Sequence, residues 1–195
     1  MSSTMLVHDT RLAGTAPAIA NNTYLVNSST SVDHALGWIS AYARASGGLS
    51  RLMLMCHGIA GGVYDSPQGL CTSDLGFGLA FCKEGLSLQN VSKARVLSGR
   101  VQQMIVYACG PARTRSGFKS TAADGARFCS ELAGHSGATV YAATDTQYYA
   151  MNRSPSFFRN LLGIGPQDYI DFGEWEGRVL RFTPDGRVTT ASSAP

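Results

Sequence analysis

The segment Val-Gln-Gln-Met-Ile-Val-Tyr-Ala-Cys-Gly-Pro-Ala at residues 101–112 limits most tightly what this chain can fold into. Its apolar run reads as a buried strand, and Pro111 closes it because proline has no amide hydrogen to give to a ladder. The strand therefore delivers Cys109 and Gly110 at its carboxyl end. Residues 51–58, Arg-Leu-Met-Leu-Met-Cys-His-Gly, repeat the construction and finish on His57 and Gly58. Two buried strands that each carry a reactive side chain to the same end predict an α/β sheet with a functional site at its carboxyl edge. Cys109 is the candidate nucleophile and His57 the candidate base.

The rest of the chain supplies the elements such a sheet needs. Residues 1–20 are small and polar, with Gly14 and Pro17, and are expected to form a loosely held arm. A short strand is expected at 23–27. Val32, Ala35, Leu36, Ile39 and Ala43 then recur at helical spacing until Gly47-Gly48 stops the helix. A helical crossover of that length makes the strands at 23–27 and 51–56 parallel. The glycine-rich stretch 59–69 suits a short hairpin or binding loop, 75–82 alternates as a strand does, and 86–97 fits a short helix. A basic loop at 113–119 follows Cys109, then a helix over 121–135 and a parallel strand at 138–143. Residues 144–173 read as an irregular, partly helical insertion able to cover the site. Pro184-Asp185-Gly186 marks the turn of a C-terminal hairpin within 174–191. The expected fold is one α/β domain, a mainly parallel sheet flanked by helices with a C-terminal β-hairpin.

Composition narrows the function classes. A net charge of +3 comes without any Lys/Arg run, so nucleic-acid binding is not indicated. No apolar run reaches membrane-spanning length, and the N-terminus lacks the basic and apolar regions of a signal peptide. The expected setting is cytoplasmic, or outside the cell by a route that needs no signal peptide. Five cysteines make an odd number, with no CxxC and no Cys/His pair at zinc spacing. Reduced, mostly buried thiols are therefore expected, with no metal and no cofactor. Nothing in the sequence sets an oligomeric state.

A neutral thiol is a poor nucleophile, and an imidazole that takes its proton makes it a good one. The glycine after each reactive residue lets the backbone turn and a substrate approach. The amides of Gly58, Cys109 and Gly110 are the candidate oxyanion donors. Tyr107 lies two residues before Cys109 on the same strand face and is expected to line the substrate pocket. Asp145, just past the strand 138–143, would emerge at the same edge, to orient His57 or to meet a basic substrate side chain; Asp65 and Asp74 are weaker candidates for that work. Cys56, Cys82 and Cys129 are expected in the core, Trp38 and Trp175 as packing anchors, and His135 as a favourable charge at a helix end. A rival pairing of Cys56 with His135 ranks lower, because Cys56 sits inside a strand run.

The order His-Gly, about 50 residues, then an apolar strand ending Ala-Cys-Gly resembles the caspase-like (clan CD) cysteine peptidases, closest to their bacterial caspase-like domains. The resemblance covers roughly residues 22–143. It implies a caspase-like three-layer sandwich, a Cys109/His57 dyad, and hydrolysis of a peptide or protein substrate through a thioester acyl-enzyme. It also implies an endopeptidase that processes itself or acts as an effector or toxin. Two positions depart from the family pattern. Tyr107 stands where many members carry Gln, Glu or Asp, and Pro111 follows Cys109-Gly110 where caspases carry Arg. Neither Asp nor Arg/Lys specificity is therefore carried over, although Asp145 favours basic residues before the scissile bond if it faces the pocket. The alternatives are an amidase, deamidase or acyltransferase on the same dyad, or a catalytically inactive caspase-like binding module.

Overall fold

Residues 101–107 form the expected strand and lie at the centre of a seven-stranded sheet. The computed structural model describes residues 3–60, 77–114, 124–154, 167–171 and 173–192. In chain order the sheet strands are β1 (Thr4–Asp9), β2 (Asn22–Val26), β3 (Leu49–Met55), β7 (Val101–Tyr107), β8 (Thr139–Ala143), β11 (Val179–Phe182) and β12 (Val188–Ala191). Between β3 and β7 stand β4 (His57–Ala60), β5 (Phe77–Ala80) and β6 (Leu86–Ser87), a small antiparallel sheet of its own. A two-stranded ribbon, β9 (Ala150–Ser154) with β10 (Gln167–Asp171), joins β8 to β11. The main sheet runs β12-β11-β8-β7-β3-β1-β2, with β2, β1, β3, β7 and β8 parallel to one another and β11 antiparallel to both of its neighbours, β8 and β12.

Period-two alternation divides the sheet into two faces. Met5, Val7, Leu52, Leu54, Met104, Val106, Val140, Ala142 and Phe182 belong to the larger core. Against that face pack α1 (Val32–Ala45), the 3-10 helix Val91–Leu97 and α2 (Gly125–Ser136), through Leu36, Ile39, Leu97, Phe128 and Leu132. Each such side chain removed from water contributes roughly 1.5–3 kcal/mol. Ser31 caps α1 by accepting from the His34 amide at 3.2 Å, and Asp124 caps α2 by accepting from Arg127 N–H at 3.2 Å. The opposite face carries Leu6, Met53, Met55 and Ile105 under Leu12, Ile170 and Trp175. There the cover is the 10–21 connection and the β9–β10 ribbon, so all the helices among the described residues lie on one face. This α/β layering is compatible with a three-layer sandwich.

Several expectations change. The N-terminal segment is no loose arm: Thr4–Asp9 is a central strand, buried from Met5 onward, between β2 and β3. The strand at 22–26 and β3 are both parallel to β1, which separates them. His57 does not end β3 but opens β4, paired with β5 in the anticipated hairpin. The stretch 86–97 divides into β6 and a 3-10 helix instead of forming one helix. In the 144–173 stretch residues 150–154 and 167–171 pair as a β-ribbon over a separation in sequence that no local pattern reports, while residues 155–166, around which the partly helical insertion is expected, lie outside the described residues. The C-terminal hairpin forms as expected, β11 with β12, and β11 also pairs with β8, so the hairpin completes the main sheet. Residues 61–76 and 115–123, which hold most of the glycine-rich stretch, Asp65, Asp74, Cys71 and most of the basic loop, lie outside the described residues. No helix among the described residues is long and apolar enough to cross a membrane.

Candidate functional site

β3 and β7 are parallel neighbours, with Met55 opposite Tyr107 and the Cys56 amide donating to the Tyr107 carbonyl at 3.2 Å. Just past that last pair the two chains reach His57, which opens β4, and Cys109, both beyond the carboxyl ends of their strands. The 52-residue spacing read from the sequence is thus the register offset of the two strands. Gly58 makes the approach closer still. A Cβ there would lie 2.7 Å from the Cys109 carbonyl carbon and 2.9 Å from its nitrogen, so only glycine admits this contact.

The imidazole is oriented from the far side. Its Nε2 lies 3.3 Å from the carbonyl oxygen of Arg11, just past β1. A carbonyl only accepts, so Nε2 carries the proton in this contact and Nδ1 is left as the basic nitrogen. Cys109 Sγ donates to the Gln147 carbonyl at 3.5 Å. Gln147 itself is buried and ties the segment after β8 to the one before β11: its Nε2 donates to Asp145 O at 3.1 Å and Glu176 O at 2.9 Å.

Cys109 is half-buried, whereas Cys56, Cys82 and Cys129 are fully enclosed. Burial pushes the Cys56 and Cys129 thiols up, and burial together with the Asp9 charge pushes Cys82 up to about 12. Those three are held as inert thiols at neutral pH. Cys109 is therefore the one cysteine among the described residues with access to solvent. The rival pair is not brought together: Cys56 packs in the helix-side core at the carboxyl edge, while His135 accepts from Arg95 Nε at 3.2 Å at the far end of α2.

Tyr107, the last residue of β7 and two before Cys109, packs its ring on Trp175, centroids 4.9 Å apart. With Met55, Pro17, Ile19, Tyr169, Ile170, Asp171 and Gly173 it lines a cavity of about 190 Å³. Burial pushes the Tyr107 hydroxyl up, so its phenol carries no charge at neutral pH. Trp38 stacks between Tyr24 and Tyr42 at the other side of the sheet, a packing role.

Asp145 does emerge beside Cys109, but through its backbone: its carbonyl accepts from the Gly110 amide at 2.8 Å. That bond engages one of the three expected oxyanion donors and leaves Gly58 and Cys109 as the candidates. The Asp145 carboxylate faces Arg113, 3.6 Å away, and fills the space where a Cβ on Gly177 would stand. The acidic residue among those that line the Tyr107 cavity is Asp171, whose Oδ1 accepts from the Gly173 amide at 2.8 Å and which sequence reasoning did not single out. It missed Arg11, Asp9 and Gln147 as well, because each acts through contacts formed only when distant segments meet. No family model, curated protein or solved structure matches the chain.

Proposed function

We propose that the protein is a cysteine hydrolase of the caspase-like kind, an endopeptidase in which Cys109 is the nucleophile and His57 the base. The observation that carries this reading is the packing of Gly58, the residue after His57, on the Cys109 backbone just past the ends of the parallel strands β3 and β7. Cys109 Sγ attacks the scissile carbonyl carbon as its proton passes to His57 Nδ1. The carbon–nitrogen bond then breaks, the leaving amine takes that proton, and a thioester remains. Water, deprotonated by His57, hydrolyses the thioester and restores the thiol. The substrate side chain before the scissile bond enters the cavity beside Tyr107.

Hydrolysis of a fluorogenic peptide library tests the reading. Wild-type protein should turn over peptides, Cys109→Ala should abolish turnover while still unfolding cooperatively, and His57→Ala should lower the rate roughly 10²–10⁴-fold. Turnover that survives Cys109→Ala would remove the chemistry from this site. An acyl-enzyme formed on amides other than peptide bonds would point to an amidase or acyltransferase instead.

A further inference from the structure

We propose that Asp9 and Arg11 form a clamp that positions His57, an inference that rests on the catalytic reading above. Asp9 ends β1 and is fully buried, yet its carboxylate accepts four bonds. Oδ1 takes Arg11 N–H at 3.2 Å and Nε–H at 2.8 Å; Oδ2 takes an Arg11 NH2 hydrogen at 2.6 Å and the Cys82 amide at 2.8 Å. The same guanidinium donates to Ala80 O at 2.9 Å and Cys82 O at 2.8 Å. Ala80 is the residue opposite His57 in the β4–β5 pair. Arg11 thus reaches His57 from two sides. Its main-chain carbonyl takes the ring, and its side chain fixes the strand that faces the His57 backbone.

Two further features support a positioning role. A buried ion pair adds little net stability over apolar residues of equal volume, and fixing one geometry is its best-attested use. Cys82, held by this pair at both its amide and its carbonyl, has φ +60, a left-handed conformation that side chains other than glycine seldom adopt. Local strain persists where surrounding bonds over-determine it, and here they join β5 to the end of β1. Asp9 and Arg11 are positioning residues: they act on the reaction through the imidazole.

The test reads the imidazole directly. In protein labelled with ¹⁵N-histidine, the His57 signal, assigned with His57→Ala, should be that of the Nε2–H tautomer at neutral pH. A wild-type Nδ1–H tautomer overturns the clamp without any variant. Asp9→Asn should give a mixed tautomer and slow iodoacetamide alkylation of Cys109 roughly tenfold or more, part of the 10²–10⁴ ascribed to a general base. Arg11→Lys keeps a cation beside Asp9, so it should fold, but it cannot span the same acceptors and should behave alike. If His57→Ala slows alkylation while a folded Arg11→Lys keeps both tautomer and rate, the clamp is refuted and the dyad stands. If His57→Ala leaves the rate unchanged, the dyad reading fails and the clamp with it.

Discussion

At Gly58 a single methyl group decides whether the two strand ends can meet. A Cβ there would run into the carbonyl carbon and nitrogen of Cys109, backbone atoms that cannot swing aside. Gly58→Ala should therefore cost about 1–3 kcal/mol in urea unfolding, the range for overpacking, and should blunt Cys109 reactivity by displacing it. Unchanged stability would mean that the strand ends are not packed this way. The substrate pocket makes a second prediction at this scale. Asp171, on the wall of the Tyr107 cavity, is the carboxylate a basic side chain would meet, with its methylenes laid on Tyr107, Met55 and Ile170. Peptide profiling should show a preference for Arg or Lys before the scissile bond that Asp171→Asn erases and Asp145→Asn does not, since Asp145 is turned to Arg113. Strict cleavage after Asp would contradict this. His57 and Cys109 were legible in the sequence because each ends an apolar run and precedes glycine, a local signal. Asp9 and Arg11 were not: three residues of chain hide a partner, Cys82, that lies more than 70 positions away.

Among the elements, β1 shows where sequence patterning fails. Its apolar core is only Met5-Leu6-Val7, followed by His8 and Asp9, and the small polar residues around it outweigh that run in any window average. Yet His8 and Asp9 are both buried, His8 with Nε2 at 3.0 Å from the Leu12 carbonyl. A strand that must supply buried polar groups loses the alternation by which strands are recognised. The ribbon was missed for a related reason, since its pairing is long-range and its outer residue Met151 is exposed. Helices fared better. In α2 the apolar spacing, the stop at Gly137 and a side chain able to cap are all local. Asp124, the capping residue, also accepts from Thr114 Oγ1 at 2.6 Å, which ties the helix to the turn that follows Cys109. Asp124→Ala should lower stability by about 1 kcal/mol, within the range for a lost N-cap, read as a drop in the urea midpoint without a change in slope. No change would mean that the cap contributes nothing.

For the whole molecule, the connections that leave β1 and β3 pass over opposite faces of the sheet, which makes their carboxyl ends a topological switch point. The first crossover passes over the face of Leu12, while α1 and α2 lie on the other. Ligands in open α/β sheets bind at such a switch. The C-terminal hairpin belongs to this unit, as Phe182 sits fully buried in the main core with Phe128 and Val140. Phe182→Ala should cost about 3–5 kcal/mol, measured by thermal or urea unfolding; a near-neutral result would make the hairpin an independent appendage. The mainly parallel sheet and the helices α1 and α2 could be read from the sequence. The cover of the other face, a connection and a β-ribbon among the described residues, could not, because neither has a periodic signature. The central claim, that His57 activates Cys109, is tested most directly by intact mass after brief exposure to a thiol-directed electrophile at neutral pH. The account predicts a single adduct, mapped to Cys109, absent in Cys109→Ala and strongly slowed in His57→Ala. Adducts that spread slowly over several cysteines, indifferent to His57, would contradict it.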